Sequence, residues 1–137
     1  MIEASKIQKF NRYTTPQLRL KANKKFRDMV RKRDQGKPCI SCGSWNASDA
    51  GHYYSAGHYP ELEMHPDNCH LQCRKCNTHL HGNLIEYRKG LIQRIGNTRV
   101  EELDRIVAQF KKTGYKHDRL NLIERLCKAI KYNYLIQ

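Results

Sequence analysis

The sequence predicts an α+β fold in which a small core of two short strands, stapled by cysteines, sits between helices. Three observations predict it. Two Cys-x-x-Cys pairs, Cys39/Cys42 and Cys73/Cys76, bracket the middle of the chain. The stretch from Cys39 to Gly82 has no helical period and is rich in Gly, Ser, Asn, His and aromatics, too polar to bury much apolar area. On either side of it, apolar residues recur at helical spacing.

The elements follow in chain order. Thr15-Pro16 reads as an N-cap followed by Pro at the first helical position. Leu18, Ala22, Phe26, Met29 and Val30 then mark a helix running to about Asp34 and stopped by Gln35-Gly36-Lys37-Pro38. The middle reads as a cysteine knuckle, a short strand around Ala50–Tyr53, an irregular loop to Pro66, and a second short strand before Cys73. A helix begins within Cys73–Asn77 and continues briefly. Three stripes follow: Leu84, Tyr87, Leu91 and Ile95, ended by Gly96-Asn97; Val100, Leu103, Ile106, Val107 and Phe110, ended by Gly114; and Leu122, Ile123, Leu126, Ile130 and Tyr134, capped by Asp118. These stripes suit core or dimer contacts.

At 137 residues the chain is read as one domain. Its parts are a basic N-terminal arm and helix (1–37), a cysteine-bound core (38–83) and a helical C-terminal region (84–137). No apolar run approaches the roughly 18 residues of a membrane span. Met1-Ile2-Glu3-Ala4-Ser5-Lys6 lacks a secretory pattern. The expectation is a cytoplasmic protein with no membrane partner and with reduced thiols, in which paired Cys-x-x-Cys motifs hold metal rather than disulfides.

Cys39, Cys42, Cys73 and Cys76 have the spacing of a closed tetrahedral zinc site. Thiolate is the soft ligand zinc prefers, and four leave no open position, so one structural Zn²⁺ is expected. Cys127 falls in the apolar register of the last helix. Cys69 stands outside the knuckle spacing.

The formal net charge is +13. Residues 1–38 carry twelve Lys/Arg against three acids, residues 84–137 twelve against six, and the middle two against four. Two basic flanks around an acidic, metal-rich centre suit a polyanion, and nucleic acid is the expected partner. Lys24, Lys25, Arg27, Arg31 and Lys32 on the first helix, with Arg74 and Lys75 at the second knuckle, are the candidate DNA-binding cations; the bland reading is a solvated face.

Pro38-Cys39-Ile40-Ser41-Cys42-Gly43, Asp49-Ala50-Gly51-His52-Tyr53, Gln72-Cys73 with Cys76-Asn77 and His79, and Gly82-Asn83-Leu84 resemble the NinG/Rap family. Those are lambdoid phage recombination endonucleases acting on branched DNA, within the zinc-containing HNH (His-Me finger, ββα-metal) nucleases. The likeness covers about residues 25–96. It implies a ββα-metal core in which a zinc knuckle pair clamps a β-hairpin to a helix. It also implies that His52 is the general base, that Asn68 ties the hairpin loop together, and that Asn77 is a metal ligand; these three form the candidate catalytic set. The implied activity is metal-dependent cutting of a Holliday junction or D-loop in the bacterial host cytoplasm. The alternative is a non-catalytic, zinc-stabilised DNA-binding module.

The chemistry asks for these residue types. A neutral imidazole can take a proton from the attacking water, and a cation is needed where negative charge builds up on the phosphoryl group. Mg²⁺ or Mn²⁺ is the expected ion, held by few protein ligands. Asn77 can offer its side-chain oxygen. Asp49 is the candidate carboxylate, although relatives place that Asp directly before the histidine, where this chain has Gly51. In an unbroken strand Asp49 faces away from His52, and a bulge at Gly51 would re-aim it. His79 and His81 are the alternatives, His81 alone sharing Asn77's face if the helix continues. His70 is read as bracing the hairpin, and His58, His65 and His117 as surface residues. Tyr53, Tyr54 and Trp45 are read as packing around the zinc core, with base stacking the other option. A branched substrate of near two-fold symmetry suggests a homodimer, with the C-terminal apolar helices as its surface.

Overall fold

The computed structural model describes residues 3–135, with side chains through residue 133. It is helix-rich α+β. A short helix α1 (Ala4–Lys9) precedes α2 (Thr15–Arg33), and strands β1 (Asp49–His52) and β2 (Cys69–Gln72) form an antiparallel pair. Helices α3 (Leu84–Ile95), α4 (Asn97–Thr113) and α5 (Arg119–Leu135) complete the chain. No described helix is long and apolar enough to cross a membrane.

Helix α2 starts one residue earlier than its Pro16 suggests. Thr14 is the N-cap, and it exchanges hydrogen bonds with Gln17 in a capping box. Leu18, Ala22, Phe26 and Val30 are buried on one face, against Leu122, Ile123 and Leu126 of α5. The α5 stripe offered above as a dimer surface is thus used inside the chain, because α2 presents the matching stripe. Ile130 of that stripe stays 41% exposed, and Tyr134 lies outside the described side chains. A second core packs Tyr87 and Leu91 of α3 and Val100 and Leu103 of α4 around Ile40 and Leu62.

The hairpin lies between these two cores. Its register is continuous, Asp49 to Gln72 through His52 to Cys69, so the bulge considered at Gly51 is not formed. Gly51 serves a different need: a Cβ there would come within 2.0 Å of Gln72 Oε1. The Gln72 amide donates to Gly82 O at 2.7 Å and Ser41 Oγ at 2.9 Å, tying the strand to both knuckles. The buried Tyr87 hydroxyl donates to Gly51 O at 2.7 Å, joining α3 to β1. At the end of α2 the fully buried Asp34 accepts from Leu71 N at 2.9 Å and from Arg33 Nε at 2.8 Å, fixing α2 to β2.

The loop from 53 to 68 is more ordered than its composition suggests. It contains two 3₁₀ turns, Pro60–Leu62 and Pro66–Asn68, and buries Leu62, Glu63 and Met64. Tyr54 donates to Asp104, which Arg88 also grips, and Arg99 pairs with Asp67, so α3 and α4 hold the loop down.

Gly90 on α3 faces the Ile40 carbonyl, which a Cβ would approach to 1.9 Å. Helix propensity alone would favour Ala there by about 1 kcal/mol. Overpacking wins: Gly90→Ala is expected to destabilise the zinc-loaded protein by about 1–3 kcal/mol in urea denaturation. Gly57→Ala, with nothing within 4 Å, serves as the comparison. A stabilised Gly90→Ala would contradict the close approach.

Candidate functional site

The site begins with sulfur. Cys39, Cys42, Cys73 and Cys76 each offer a Sγ, all within 4.8 Å of one another. A zinc–sulfur distance of about 2.3 Å in a tetrahedron implies sulfur–sulfur edges of about 3.8 Å. Cys42 Sγ and Cys73 Sγ lie 3.7 Å apart. Burial, with the neighbouring thiols, pushes the Cys76 thiol up to about 12. Four ionised thiolates therefore need a cation among them, and the donor set fits zinc. Cys69 is outside the group, buried in the α2–α5 core, where desolvation pushes its thiol up to about 12. Cys127 packs partly buried against the same core.

The second knuckle leads directly into the turn that carries Asn77. This is a single π-helical turn, Lys75–His79, the brief helix expected at the second knuckle. The chain then reverses through His81, Gly82 and Asn83, all at positive φ, before α3 begins. Asn77 Nδ2 donates to Asp49 Oδ2 at 3.1 Å, and Asn77 Oδ1 has no hydrogen-bond partner among the described residues.

His52 ends β1 on the face turned toward α2, with Phe26 tilted against it at 6.5 Å between ring centroids. Its Nε2 lies 2.7 Å from the main-chain oxygen of Glu63. A carbonyl only accepts, so Nε2 carries the proton and Nδ1 keeps a lone pair. Burial lowers His52 below the ordinary imidazole value; the nearby Arg27 charge adds to this and the Glu63 carbonyl opposes it. The ring is therefore neutral near pH 7.

Two adjoining grooves, about 930 and 380 Å³, meet over this ring. His52 and Asn77 line both. The larger is walled by α2 through Arg19, Asn23 and Arg27, and by the α4–α5 connection through Lys116 and His117. The smaller is walled by Tyr53, Tyr54 and Tyr59 and by His81.

The other sequence candidates separate. Asn68 is fully buried and reaches neither groove. Its Nδ2 donates to Tyr54 O at 2.9 Å and Leu62 O at 3.0 Å, and its Oδ1 accepts from Tyr54 N at 2.8 Å. It holds the loop from inside. Asp49 faces away from His52, as strand alternation requires, and both its oxygens are gripped by Arg74, at 2.7 and 3.1 Å. Arg74, and after it burial and Asn77, set the balance that keeps this carboxyl below the usual range. Asp49 thus orients Asn77, and Arg74 is not a free cation. His81 shares the smaller groove with Asn77 despite the helix ending; His79 is exposed and lines neither.

Of the candidate DNA-binding cations on α2, Arg27 alone lines a groove, beside Arg19, which is held by Glu63. Arg31 donates to Ser48 O and pairs with Asp28, Lys24 pairs with Asp28, and Lys32 donates to Asn133 O at 3.0 Å. Arg31 and Lys32 thus bond backbone carbonyls outside α2, which helical periodicity does not reveal, whereas Lys24 pairs only along its own helix. Lys25 is half-buried and Lys75 is exposed. Tyr53 and Tyr54 pack edge to face at 5.0 Å, whereas Trp45 is 75% exposed on the first knuckle.

The residues that sequence reasoning missed lie around Glu63. This acid is 3% exposed and accepts from Arg19 at 2.9 Å and from His117 Nε2 at 2.8 Å, with Asn23 donating to its other oxygen. Burial alone would raise its carboxyl; the hydrogen bonds from His117 and Arg19 outweigh that and bring it to about 2. His117, read above as a surface residue, is partly buried, its side chain 9% exposed. His65 is half-buried and caps the turn Pro66–Asn68, while His70 packs edge-on to Tyr87 and braces the hairpin as expected.

Residues 3–133 match the family model described as NinG, Bacteriophage Lambda NinG protein. Over 107 residues the chain is 40% identical to Protein ninG of Escherichia phage lambda and 41% identical to Protein ninG of Salmonella phage P22. Protein ninG of Escherichia phage 933W is 39% identical over the same length. Each alignment covers 77% of this chain and 48% of the relative, so the chain spans about half the length of the curated relatives it matches. No solved structure matches.

If the cysteine group is a closed zinc site, purified protein carries one zinc per chain by atomic absorption. Cys73→Ser loses the metal, and a chelator unfolds the segment between the knuckles. Retention of zinc by Cys73→Ser would contradict the assignment.

Proposed function

The chain belongs to the NinG family, and we propose that it is an HNH-type, metal-dependent endonuclease cutting branched DNA recombination intermediates. One observation carries the reading: the Nε2–H of His52 is bonded to the Glu63 carbonyl, which leaves Nδ1 as a proton acceptor on a ring that lines two grooves together with Asn77. That is the arrangement a general base needs.

In this reading the antiparallel hairpin, the turn after Cys76 and the four-thiolate zinc make up a ββα-metal core. His52 takes the proton of the water that attacks the phosphodiester. Arg27 and Lys116, exposed on opposite walls and outside the recorded ion pairs of the described residues, receive the backbone phosphates to either side. A divalent ion, Mg²⁺ or Mn²⁺, would neutralise the phosphoryl and departing oxygens. Asn77 Oδ1 fits as its protein ligand, with His81 the nearer of the two histidine alternatives; few protein ligands are normal for magnesium. Asp49 holds the Asn77 amide in the orientation that presents that oxygen. Matched cuts on a near-symmetric branch call for two copies of the protein. Their shared surface lies elsewhere than the α5 stripe buried on α2.

Zinc-loaded wild type and His52→Ala are incubated with labelled four-way junction and matched linear duplex, with Mg²⁺. Wild type is expected to cut near the branch, and His52→Ala to lose about 10²–10⁴-fold in rate. DNA binding by both proteins without cutting by either would leave a zinc-scaffolded binding module and end the nuclease reading.

The base works deprotonated, and burial lowers the folded value of His52. The acidic fall in cutting rate is therefore expected below pH 6.5, the ordinary imidazole value, and a midpoint above it would contradict His52 as base. Arg27→Ala is expected to weaken binding across sequences and to reduce the salt slope by about 1. An unchanged slope would remove Arg27 from the phosphate contacts.

A further inference from the structure

Glu63 holds the site together through two different parts of one residue. Its main-chain oxygen accepts the Nε2–H of His52 at 2.7 Å. Its carboxylate is clamped from both walls of the larger groove, by Arg19 and Asn23 of α2 and by His117 from the connection before α5. The residue caps the 3₁₀ turn Pro60–Leu62 in αR geometry, so the direction of its carbonyl depends on how that turn is held.

A buried ion pair is a poor device for stability, since well-packed apolar residues of the same volume serve as well or better. What it provides is a fixed geometry. Here the fixed object is the peptide unit that sets the tautomer and orientation of His52. The neighbours fit this account: Leu62 and Met64 on either side are buried in the two cores, supplying packing, while the acid between them supplies direction.

We propose that Glu63 is the positioning residue of His52, and that His117, Arg19 and Asn23 act on the site by fixing the Glu63 carboxylate. The cluster forms a relay from the C-terminal third of the chain, through one side chain and its own carbonyl, to the imidazole. The groups facing His117 agree with such a role. Its Nε2 donates to Glu63, and its ring meets Tyr115 edge to face at 5.3 Å. Its buried Nδ1 has no partner among the described residues, so the Glu63 contact is the polar bond that orients the ring there. The catalytic consequence rests on the reading of His52 as general base; the geometric part does not.

The test uses full-length, zinc-loaded protein with two readouts. One is the ring proton and tautomer of His52 by ¹H–¹⁵N NMR, which needs no cutting. The other is single-turnover cleavage of a four-way junction with Mg²⁺, alongside the Kd for the same DNA. Wild type is expected to show a protected Nε2–H. In His117→Ala that proton exchanges freely and the cleavage rate falls about 10–100-fold, with the Kd changed by no more than about threefold. His117→Gln, whose amide can still donate to Glu63, recovers most of both. Should His117→Ala not fold, Arg19→Ala, at a half-exposed position, is expected to loosen the same ring proton.

A folded His117→Ala that keeps the His52 tautomer and the wild-type cutting rate overturns the proposal. If no protein cuts DNA but His117→Ala still frees the ring proton, the positioning stands and the nuclease reading falls.

Discussion

Four sulfur atoms lie within 4.8 Å of one another at the two ends of a segment that builds only a small hairpin. Between Cys39 and Gly82 the chain has few apolar side chains, and the hairpin it builds has four residues in each strand. A two-stranded hairpin of that size is marginal alone in water. Closing the first knuckle onto the second fixes the start of the turn after β2, and hence the place of Asn77. The Gln72 amide, bridging Ser41 and Gly82, shows the same constraint in hydrogen bonds. The cysteine cluster thus joins the element that carries His52 to the element that carries Asn77.

The helical flanks depend on that centre and in turn confine it. The buried Asp34 at the end of α2 binds the Leu71 N–H, so α2 cannot shift without moving β2. The Tyr87 hydroxyl on Gly51 does the same for α3 and β1. With both faces of the hairpin covered, the open side is the edge where His52 and Asn77 look into the grooves. One groove is walled by Arg27 of α2 and Lys116 of the α4–α5 connection, so each basic flank of the chain contributes a cation to it. The pairing of α2 with α5 is what brings those ends together.

Much of this was legible in the sequence because its causes are local. The 3.6-residue period of Leu18, Ala22, Phe26 and Val30 marked the buried face of α2, and the knuckle spacing marked the four ligands. Strand alternation said correctly that Asp49 faces away from His52. What it could not show is that the turn after Cys76 wraps round to meet Asp49 from the far side. The Glu63 cluster was illegible for a related reason. Arg19, Glu63 and His117 are separated by 44 and 54 residues, and a long-range ion pair leaves no periodic trace. Arg31, Lys32 and Arg74 looked like free cations because their partners are backbone carbonyls and a carboxylate supplied by other elements. The resemblance to a nuclease family directed attention to His52, Asn68 and Asn77; the hydrogen bonds then separated the residue that holds the loop from the two that line the grooves.

The account centres on His52 and Asn77 forming one phosphodiester site at the meeting of two grooves. The most direct measurement is a crystal structure of zinc-loaded His52→Ala bound to an uncut four-way junction with Mg²⁺. The account predicts a backbone phosphate over the position of residue 52, with the ion on Asn77 Oδ1 and the flanking phosphates against Arg27 and Lys116. DNA bound on another face, with the grooves over residue 52 and Asn77 free of phosphate, would contradict it.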